Sequence, residues 1–341
     1  MRKFEIHNRR YTGSKYKLMA WISEIVNKHC SDKNVLFDVF GGTGVVTDGL
    51  LNDFNNFIIN DFLYSNNVIY KGFFGAKNYN YNKLVNIIES FNDLVAEELE
   101  DNYVSINFGN KYFSINDSKK IGYIREQLDL LLKNQKISED EFYILLTSLL
   151  YSLDRISNTC GHYDAYIKKG TVKDCFEMGI IKIKDINKDI KIYKTDSNEL
   201  ASEVESTVAY IDPPYNSRQY SRFYHVLENI VKWEKPKLYG TALKPEPENM
   251  SSYCNNSAPK AFEDLITKLK TKYIIVSYNN TYTSKSSSSK NKITLEQIEE
   301  ILNKKGKTIK YSKKYNAFNA GKTELNDHCE ILFVTEVENN D

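Results

Sequence analysis

The sequence has few cysteines, and none of them is placed for a metal site or a redox dithiol. Its five cysteines are scattered along 341 residues, whereas both kinds of site need them in closely spaced pairs. No apolar stretch is long enough to span a bilayer, and the charged residues 1–11 lack the apolar core of a signal peptide. We therefore expect a reduced, cytoplasmic protein, encoded by a bacterium or a phage, with no metal and no membrane segment.

The chain also has almost no net charge, only +1, which favours neither the presence nor the absence of a polyanionic partner. The charge is nevertheless uneven, since thirteen lysines and only three acidic residues lie within residues 268–322. A solvated lysine-rich surface and a surface that follows a phosphate backbone explain this segment equally well. In the second case, Lys313, Lys314 and Tyr315 are suitably placed to bind the phosphates of DNA.

Short apolar runs separated by a turn predict an α/β fold. The runs 35–40 and 57–61 have the pattern of buried parallel strands, and residues 44–53 are enough for the helix that connects them. These runs predict a Rossmann-like sheet with helices on both faces. Further strands of this sheet are predicted at 190–194, 208–211, 273–277 and 331–335.

The section between the second and third predicted strands is mostly helical. Its clearest helix begins after Ser138, which forms a capping-box pattern with Glu141 and precedes leucines at helical spacing. We therefore predict a catalytic domain made of residues 1–63 and 189–341, interrupted by a helical insert at residues 64–188.

A glycine turn directly follows the first predicted strand. Glycine lets the backbone turn tightly and approach a ligand, so a turn at this place implies a nucleoside cofactor. A dinucleotide fingerprint would need its third glycine at a different spacing. A nicotinamide cofactor or a purely structural role explains the turn alone about as well. The residues of the turn are Phe40, Gly41, Gly42, Thr43 and Gly44.

Two acidic residues lie at the ends of the first two strands. Asp38 places a carboxylate where it suits a cationic partner, such as the amino-acid part of S-adenosylmethionine, either directly or through water. Asp61, which precedes Phe62, closes the second strand, where an acidic residue typically accepts hydrogen bonds from ribose hydroxyls. We predict that Asp38, Asp61 and Phe62 contact the cofactor.

The sharpest motif, Asp212-Pro213-Pro214-Tyr215, follows the predicted strand 208–211. Both prolines fix the backbone and lack an N–H group, so the loop is rigid and presents carbonyl acceptors. The Asp212 carboxylate and the Pro213 carbonyl can accept both hydrogens of an aromatic amino group, which localises its lone pair and directs it at a methyl sulfonium. Tyr215 can stack on a base turned out of the duplex. The alternative is a turn without a catalytic role.

With these motifs, the chain resembles the D12 class of DNA adenine N6 methyltransferases, the Dam-like enzymes, over most of its length. The resemblance also rests on Asp61 and on the runs 10–15 and 194–197. The order of the motifs, with the glycine turn first and the catalytic loop late, is similar to the α arrangement. This arrangement implies that the helical insert recognises the target sequence.

The resemblance implies a cofactor and further residues that bind it. The cofactor is S-adenosylmethionine. Tyr11 and Lys15 are expected to line its methionine part, while Asp196, next to Ser197, is expected to bind the amino group of its adenine.

Within the class, the chain is similar to the FokI-type modification methylases at residues 158–163 and 216–225. This similarity implies a site-specific enzyme that modifies N6 of adenine in double-stranded DNA by base flipping, in a type II restriction-modification system. A cognate restriction endonuclease is then a partner that acts on the same site without forming a stable complex. The sequence departs from the family at residues 284–290, a serine- and lysine-rich run that looks like an insertion.

Four further residues are candidates for contacts with DNA. Asn216 and Arg218 follow the catalytic motif and either order its loop or bind a phosphate, although a solvent-exposed arginine explains Arg218 equally well. His162 and Tyr163 lie in a polar loop after a predicted helix. A loop histidine whose hydrogen bonds are satisfied within the protein is the alternative for His162.

Other activities remain open at this stage. N4 methylation of cytosine uses the same geometry, usually with serine at the position of Asp212, and RNA base methyltransferases have related loops with asparagine. A non-catalytic DNA-binding module is a third alternative. Covalent methylation of cytosine carbon 5 has no obvious nucleophile here, because no proline is followed by cysteine.

Overall fold

A computed structural model describes residues 1–280, 290–314 and 328–338 of the chain. The chain forms two compact units, each built from three segments that alternate along the sequence. The sheet unit consists of Gly13–Leu63, Lys188–Tyr220 and Asn249–Asp341, and the helical unit of Met1–Thr12, Tyr64–Asn187 and Ser221–Glu248. The helical unit thus contains the predicted insert together with residues 1–12 and 221–248.

The strands and helices are numbered in chain order. The strands are β1 (Lys3–Phe4), β2 (Val35–Asp38), β3 (Asn56–Asn60), β4 (Ile180–Ile181), β5 (Asp189–Tyr193), β6 (Val208–Ile211), β7 (Tyr273–Asn279), β8 (Thr308–Lys314) and β9 (Cys329–Glu336). The α-helices are α1 (Met19–His29), α2 (Val45–Gly49), α3 (Tyr64–Tyr70), α4 (Tyr81–Asn92), α5 (Tyr103–Phe108), α6 (Ile115–Lys133), α7 (Glu139–Ile156), α8 (Ser197–Glu203), α9 (Tyr220–Phe223), α10 (His225–Lys232), α11 (Ala258–Lys268) and α12 (Leu295–Asn303). Shorter helical turns lie at Tyr16–Leu18, Lys71–Gly75, Ala96–Glu98 and Ser252–Cys254.

The sheet unit contains a seven-stranded sheet in the order β5-β3-β2-β6-β7-β9-β8. The neighbouring strands from β5 to β7 are parallel, whereas β9 is antiparallel to both β7 and β8. The inner parallel strands β2, β3, β6 and β7 are mostly buried, as expected where both faces of a sheet are covered, whereas the edge strand β5 has exposed and half-buried residues. The predicted strands are all present, with ends that differ by no more than a few residues.

Helices lie on both faces of this sheet, as predicted. On one face, Phe37, Ile211 and Phe333 belong to an apolar core together with residues of α8, α11 and α12. Side chains alternate between the two faces of a strand, so Tyr311, which pairs with Leu332, points to the opposite face. There its hydroxyl is hydrogen-bonded to Nε2 of His29 in α1, at a distance of 2.6 Å. The predicted α/β fold class is therefore confirmed.

Two elements of the sheet unit differ from the sequence prediction. The connecting helix α2 is shorter than the predicted 44–53, because a turn at residues 50–53 ends it early. Strand β8 was not predicted. It is an edge strand of the sheet, and its lysines are exposed. Exposed lysines protect a sheet edge from pairing with other chains. They also replace the alternation of apolar and polar residues by which a strand is recognised in a sequence.

The helical unit is centred on α7, whose buried residues continue through almost its whole length. The predicted capping box of Ser138 and Glu141 is present at its N-terminus. Helices α9 and α10 are separated at Tyr224, which has φ −112° and ψ 23°. The carbonyl of Phe223 accepts a hydrogen bond from the N–H of Tyr163 at 2.7 Å, so it does not continue the helical ladder.

No helix among residues 1–280, 290–314 and 328–338 is long and apolar enough to cross a bilayer. Within the same ranges, no group of three or more potential metal ligands converges. The five cysteines all lie in this part of the chain and carry free thiols.

Candidate active site

The two sequence motifs follow neighbouring strands of the sheet. Strands β2 and β6 are neighbours at the middle of the sheet. The strands that follow β2 in the chain, β3 and β5, lie on its side of the sheet, whereas β7, which follows β6, lies on the other side. The order of the strands therefore reverses between β2 and β6, and open α/β sheets bind ligands at such a point, beyond the carboxyl ends of the strands. The glycine turn follows β2 and the Asp212 loop follows β6. The N–H of Val39 donates to the carbonyl of Tyr210 at 3.0 Å, which keeps these ends together.

Backbone groups hold the glycine turn in place. The N–H of Gly41 donates to the carbonyl of Asn60 at 2.8 Å, and the N–H of Gly44 donates to the carbonyl of Gly41 at 2.7 Å. Gly42 and Gly44 have φ angles of +52° and +75°, a left-handed conformation that residues with a side chain adopt at a cost. The sequence therefore needs glycine at both positions for the turn to form.

Asp38 and Asp61 differ in their environments. Asp38 is 1% exposed and accepts a hydrogen bond from the Thr47 hydroxyl at 2.9 Å. Burial raises the pKa of Asp38 to about 7, against the effect of the Thr47 hydrogen bond. Asp61 is half-buried, and its carboxylate accepts hydrogen bonds from the N–H groups of Gly42 and Leu63, both at 2.9 Å. Asp61 thus connects the end of β3 to the glycine turn. The next residue, Phe62, is half-buried.

Asn60 joins the ends of three strands, a role that the sequence analysis missed. Its side-chain amide donates to the carbonyls of Val39 and Thr195 at 3.4 and 3.1 Å and to the Ser197 hydroxyl at 3.2 Å. Ser197 in turn donates to the carbonyl of Val39 at 3.1 Å. Asp196 caps the N-terminus of α8 by accepting hydrogen bonds from backbone N–H groups of that helix. Both residues of the predicted pair at 196–197 therefore lie beside the glycine turn in the sheet unit.

The Asp212 loop carries the charged part of the site. Lys15 is buried, and its ammonium lies 2.9 Å from Oδ2 of Asp212 and 3.2 Å from Oε1 of Glu330. Burial disfavours the charged form of Lys15, but the carboxylates of Asp212 and Glu330 outweigh it and raise the lysine pKa. For Asp212, burial raises the pKa, Lys15 opposes the rise, and Glu330 adds to it. Its side chain remains 18% exposed.

Tyr215 is fixed at both its backbone and its hydroxyl. The N–H of Lys292 donates to its carbonyl at 2.8 Å, and its ring contacts that of Tyr278 edge to face, with centroids 4.6 Å apart. Its hydroxyl accepts from Lys15 at 2.6 Å and donates to Oδ1 of Asp212. The Asp212 loop is therefore rigid on its tyrosine side, as the two prolines predict for its backbone.

The residues after the motif are held to the segment 249–255. Gln219 and Ser251 exchange two hydrogen bonds: the side-chain amide donates to the Ser251 carbonyl at 3.0 Å and accepts from its N–H at 2.7 Å. Asn216 accepts from the N–H of Arg218 at 3.1 Å. Asn216 therefore orders the loop, which is one of its two predicted roles.

The aromatic residue of the glycine turn also contacts this segment. Phe40 meets the ring of Tyr253 edge to face, at 5.0 Å between centroids. Thr43, in the same turn, is buried.

Tyr11 belongs to the helical unit. Its ring stacks on that of Tyr224, with centroids 4.6 Å apart and an interplanar angle of 8°. The guanidinium of Arg9 lies over both rings, and the side-chain amide of Asn66 donates to the Tyr11 hydroxyl at 3.4 Å. The contact of Tyr11 with a cofactor stays a prediction.

The two loop residues predicted to contact DNA have different environments in the helical unit. His162 is half-buried and stacks on Phe223, with centroids 4.5 Å apart. Tyr163 is 1% exposed, and its hydroxyl donates to Oδ1 of Asp154 at 3.0 Å. A buried ring has no surface with which to bind DNA, so this residue is corrected to a packing role in the helical unit.

The lysine-rich segment is partly neutralised in the described residues. Lys268, Lys272, Lys304 and Lys310 form ion pairs with acidic side chains. Lys313 and Lys314 are exposed on β8, and Lys313 lies over the ring of Trp21 in α1. Tyr315 and residues 284–289 lie outside the described residues.

Glu330 and Ser277 are further members of the site that sequence reasoning missed. The Ser277 hydroxyl donates to Oε1 of Glu330 at 2.7 Å, and the Tyr215 hydroxyl lies 3.1 Å from the same atom. The only signal in the sequence is an acidic residue within the apolar run of β9. That signal identifies a buried charge but not its partners, which come from distant parts of the chain.

Comparison with known proteins adds a family assignment to this geometry. The sequence profile described as D12 class N6 adenine-specific DNA methyltransferase matches residues 11–301. The chain is 33% identical to the modification methylase StsI of Streptococcus sanguinis, over 80% of this chain and 44% of that protein. It is also 33% identical to the type II methyltransferase M.FokI of Planomicrobium okeanokoites, over 87% of this chain and 47% of that protein.

A third relative has a similar length. The type II methyltransferase M.NlaIII of Neisseria lactamica is 31% identical, over 93% of this chain and 95% of that protein. The chain thus spans about half the length of the StsI and FokI methylases that it matches and nearly all of M.NlaIII.

Proposed function

The chain belongs to the D12 class family of N6 adenine-specific DNA methyltransferases, and from this we propose that it transfers a methyl group from S-adenosylmethionine to N6 of adenine in double-stranded DNA. The observation that carries the proposal is the position of the glycine turn and the Asp212 loop on the neighbouring strands β2 and β6. A donor bound at the first motif lies within reach of a base held by the second.

The residues of the sheet unit suit S-adenosylmethionine, whose sulfur and amino group are both cationic. Among the residues that the structure describes, Asp212 and Glu330 pair with one ammonium, that of Lys15, so two carboxylates face one positive charge when both are ionised. Asp38 lies at the end of the adjacent strand and adds another acidic group. Buried charge without a partner is costly, and a cationic ligand offsets that cost.

We assign the binding of the donor to the residues around the end of β2. Gly42 and Gly44 let the backbone approach the ligand, and Asp61 lies just after β3, at the strand end where an acidic residue accepts hydrogen bonds from ribose hydroxyls. Asp196 is assigned to the adenine amino group and Lys15 to the methionine side, as in the family. The donor supplies a methyl group that the positive sulfur makes electrophilic.

Asp212 and Pro213 prepare the attacking nitrogen. The amino group of adenine is a poor nucleophile because its lone pair is delocalised into the ring. When the Asp212 carboxylate and the Pro213 carbonyl accept its two hydrogens, the lone pair localises on N6 and points at the methyl carbon. N6 then forms the new bond as the carbon–sulfur bond breaks, and the surplus proton on N6 is released.

Tyr215 is assigned to the face of the target base. An enzyme that acts on a base inside a duplex must turn that base out of the stack, and an aromatic side chain compensates for part of the lost stacking. The ring of Tyr215 is already fixed by Tyr278 and by the hydrogen bonds of its hydroxyl. The Tyr215 side chain therefore loses little conformational entropy when the base binds.

We further propose that the helical unit recognises the target sequence and that the protein is the modification enzyme of a type II restriction-modification system. The first part follows the α order of motifs, and the second follows the similarity to the type II methyltransferases M.FokI and M.NlaIII. His162 and Arg218 are proposed DNA contacts. In that setting a cognate endonuclease cuts the same site when it is unmethylated.

Incubation of the purified protein with duplex DNA and a donor that carries a labelled methyl group tests the activity directly. Digestion to nucleosides, followed by mass spectrometry, should find the label in N6-methyl-2′-deoxyadenosine. Label in N4-methylcytosine, or faster labelling of RNA than of DNA, would replace the proposed substrate by one of the two alternatives. No labelled nucleoside, together with no binding of S-adenosylmethionine in calorimetry, would favour a non-catalytic DNA-binding protein.

Sequencing that detects modified bases would test the biological role. DNA from cells that express the protein should carry N6-methyladenine at one short recurring sequence. Methylation that ignores sequence would contradict the restriction-modification role while leaving the methyl transfer intact.

A further inference from the structure

Glu330 is a buried carboxylate beside the catalytic corner, and the proposed chemistry gives it no direct contact with substrate. It lies in β9, next to the buried residues 331–334. Taking a carboxylate out of water costs several kcal/mol unless it is well paired, so a charge at this place needs a compensating interaction. Glu330 obtains one, since its Oε1 lies within hydrogen-bond distance of Ser277, Tyr215 and Lys15.

Two of these three groups are shared with Asp212. The Tyr215 hydroxyl has one hydrogen but lies near two acceptors, Oδ1 of Asp212 and Oε1 of Glu330. The Lys15 ammonium likewise lies 2.9 Å from Asp212 and 3.2 Å from Glu330. In the structure both carboxylate oxygens of Asp212 therefore accept a hydrogen bond from the protein itself. An amino group that approaches Asp212 must compete with these bonds.

We propose that Glu330 is a positioning residue, which takes over the hydrogen bonds of Tyr215 and Lys15 when Asp212 accepts the amino group of the target base. The proposal rests on the methyl transfer proposed above. Ser277 holds Oε1 of Glu330 at the point that both donors can reach. The donors need to turn only slightly, because each already lies within 3.2 Å of this oxygen.

The charges around Asp212 support such an exchange. Glu330 raises the pKa of Asp212 and Lys15 lowers it, so the loss of the Glu330 charge leaves Lys15 to pair with Asp212 alone. In the described part of the chain, other titratable groups near this corner are Tyr215, Tyr210, Tyr278 and Asp38, and His328 near Lys15. None of them has a carboxylate within reach of both donors, so none replaces Glu330.

The test compares Glu330→Gln with the wild-type protein in the DNA methylation assay. The glutamine keeps the shape but loses the charge, so Lys15 and Tyr215 stay on Asp212. We expect kcat to fall about 10–100-fold, which is the rate factor that corresponds to the loss of one charge-assisted hydrogen bond in the transition state. The Kd of the donor should change little. The acid limb of the kcat profile should move to lower pH, because Asp212 loses a negative neighbour. An unchanged kcat and an unchanged acid limb would overturn the proposal.

A double-mutant cycle separates exchange from simple support of the fold. With Tyr215→Phe, one of the bonds that Glu330 would take over is absent, so Glu330→Gln should cost less in that background than in the wild type. Fully additive effects would overturn the exchange. If the glutamine variant does not fold, Glu330→Asp replaces it in the same cycle, because the shorter side chain withdraws the acceptor and keeps the charge.

A matched control is Glu141→Gln in the helical unit, which also removes a buried carboxylate with a lysine partner, Lys83. It should lower the free energy of unfolding without moving the acid limb of kcat. The outcomes distinguish the two proposals. A wild-type protein that does not methylate adenine contradicts the proposed function. An active wild type whose kcat and acid limb match those of Glu330→Gln contradicts only the exchange.

Discussion

The turn after β2 and the loop after β6 follow neighbouring strands but are built in different ways. The turn is held through its backbone N–H groups, one of which donates to the Asp61 carboxylate, and depends on the left-handed angles of Gly42 and Gly44. The loop is held by side chains, with the ammonium of Lys15 between Asp212 and Glu330. A substitution at the turn therefore acts through shape, and one at the loop acts through charge.

The difference fits the two proposed tasks. A binding surface for a large cofactor needs room and backbone N–H groups, which glycine provides without a side chain. Activation of a weak nucleophile needs acceptors fixed before the substrate arrives. Substitutions at the two places should consequently separate donor binding from turnover.

The largest expected effect is that of Asp212→Ala. The variant loses the acceptor of the target amino group, so we expect kcat to fall roughly 10²–10³-fold, with donor binding changed only a few-fold. Single-turnover methylation and calorimetry measure the two quantities. Asp32→Ala, which removes a half-buried partner of Lys272 before the start of β2, at the opposite end of that strand from the glycine turn, should leave both unchanged. Full activity of Asp212→Ala would break the assignment.

Asp38 should make donor binding depend on pH. Its pKa is raised by burial to about 7, and a cationic ligand prefers the ionised form, so affinity should rise by up to about tenfold per pH unit below that value. The same shift makes the folded protein less stable as pH rises from about 4 to 7, because the folded state holds this proton more tightly than the unfolded state.

Calorimetry between pH 5 and pH 8 checks the prediction for Asp38. Asp38→Asn should bind the donor more weakly, with an affinity that no longer varies over this range. If the wild-type affinity does not vary with pH either, Asp38 does not face a cation.

Gly42→Ala tests the part of the comparison that concerns shape. The left-handed angle of +52° costs a residue with a side chain roughly 1–2 kcal/mol, a strain that the alanine variant avoids when its empty turn leaves the donor-binding conformation. Restoring that conformation on binding should raise the donor Kd about 5–30-fold, while kcat at saturation stays near wild type. Gly240→Ala is the matched control, with φ +67° and no atom within 4 Å of the added Cβ. It should be less stable but bind the donor normally. Equal donor Kd values for the two variants would show that the glycine turn does not form part of the donor-binding site.

The smallest effect is expected outside both strand ends, on the exposed edge strand. The double substitution Lys313→Gln with Lys314→Gln should weaken DNA binding a few-fold and reduce the slope of log K against log salt by roughly 0.9 per lysine. Titration of labelled duplex DNA at several salt concentrations measures that slope. Lys304→Gln serves as control, because this lysine is paired with Glu263. A slope that is the same in the double variant and the wild type would exclude β8 from the DNA surface.

Much of the sheet unit could be predicted because its signals are local. Apolar runs ending in a glycine turn or in Asp212-Pro213 identify β2 and β6, and the rules of parallel sheets place those ends together. Strand β8 escaped prediction because its exposed lysines remove the apolar alternation. The two-residue strands β1 and β4 are too short to have a pattern and form only by pairing with each other.

The unpredicted members of the site depend on contacts between distant segments. Glu330 reads as an isolated charge in a strand, and only the fold brings Lys15 to it. Asn60 reads as a strand end, although its amide joins residues 39, 195 and 197. Tyr163 shows the opposite error, since a polar loop suggested exposure while Asp154 and Phe223 hold the tyrosine inside.

The alternation of segments between the two units has a consequence for synthesis on the ribosome. Strand β1 pairs with β4, so the first residues to emerge must wait for more than half of the chain before they find their partner. The sheet unit waits longer still, because β7 and β9 belong to its last segment. No single cut in the gene therefore separates the two units, and any fragment that holds one unit whole also carries part of the other.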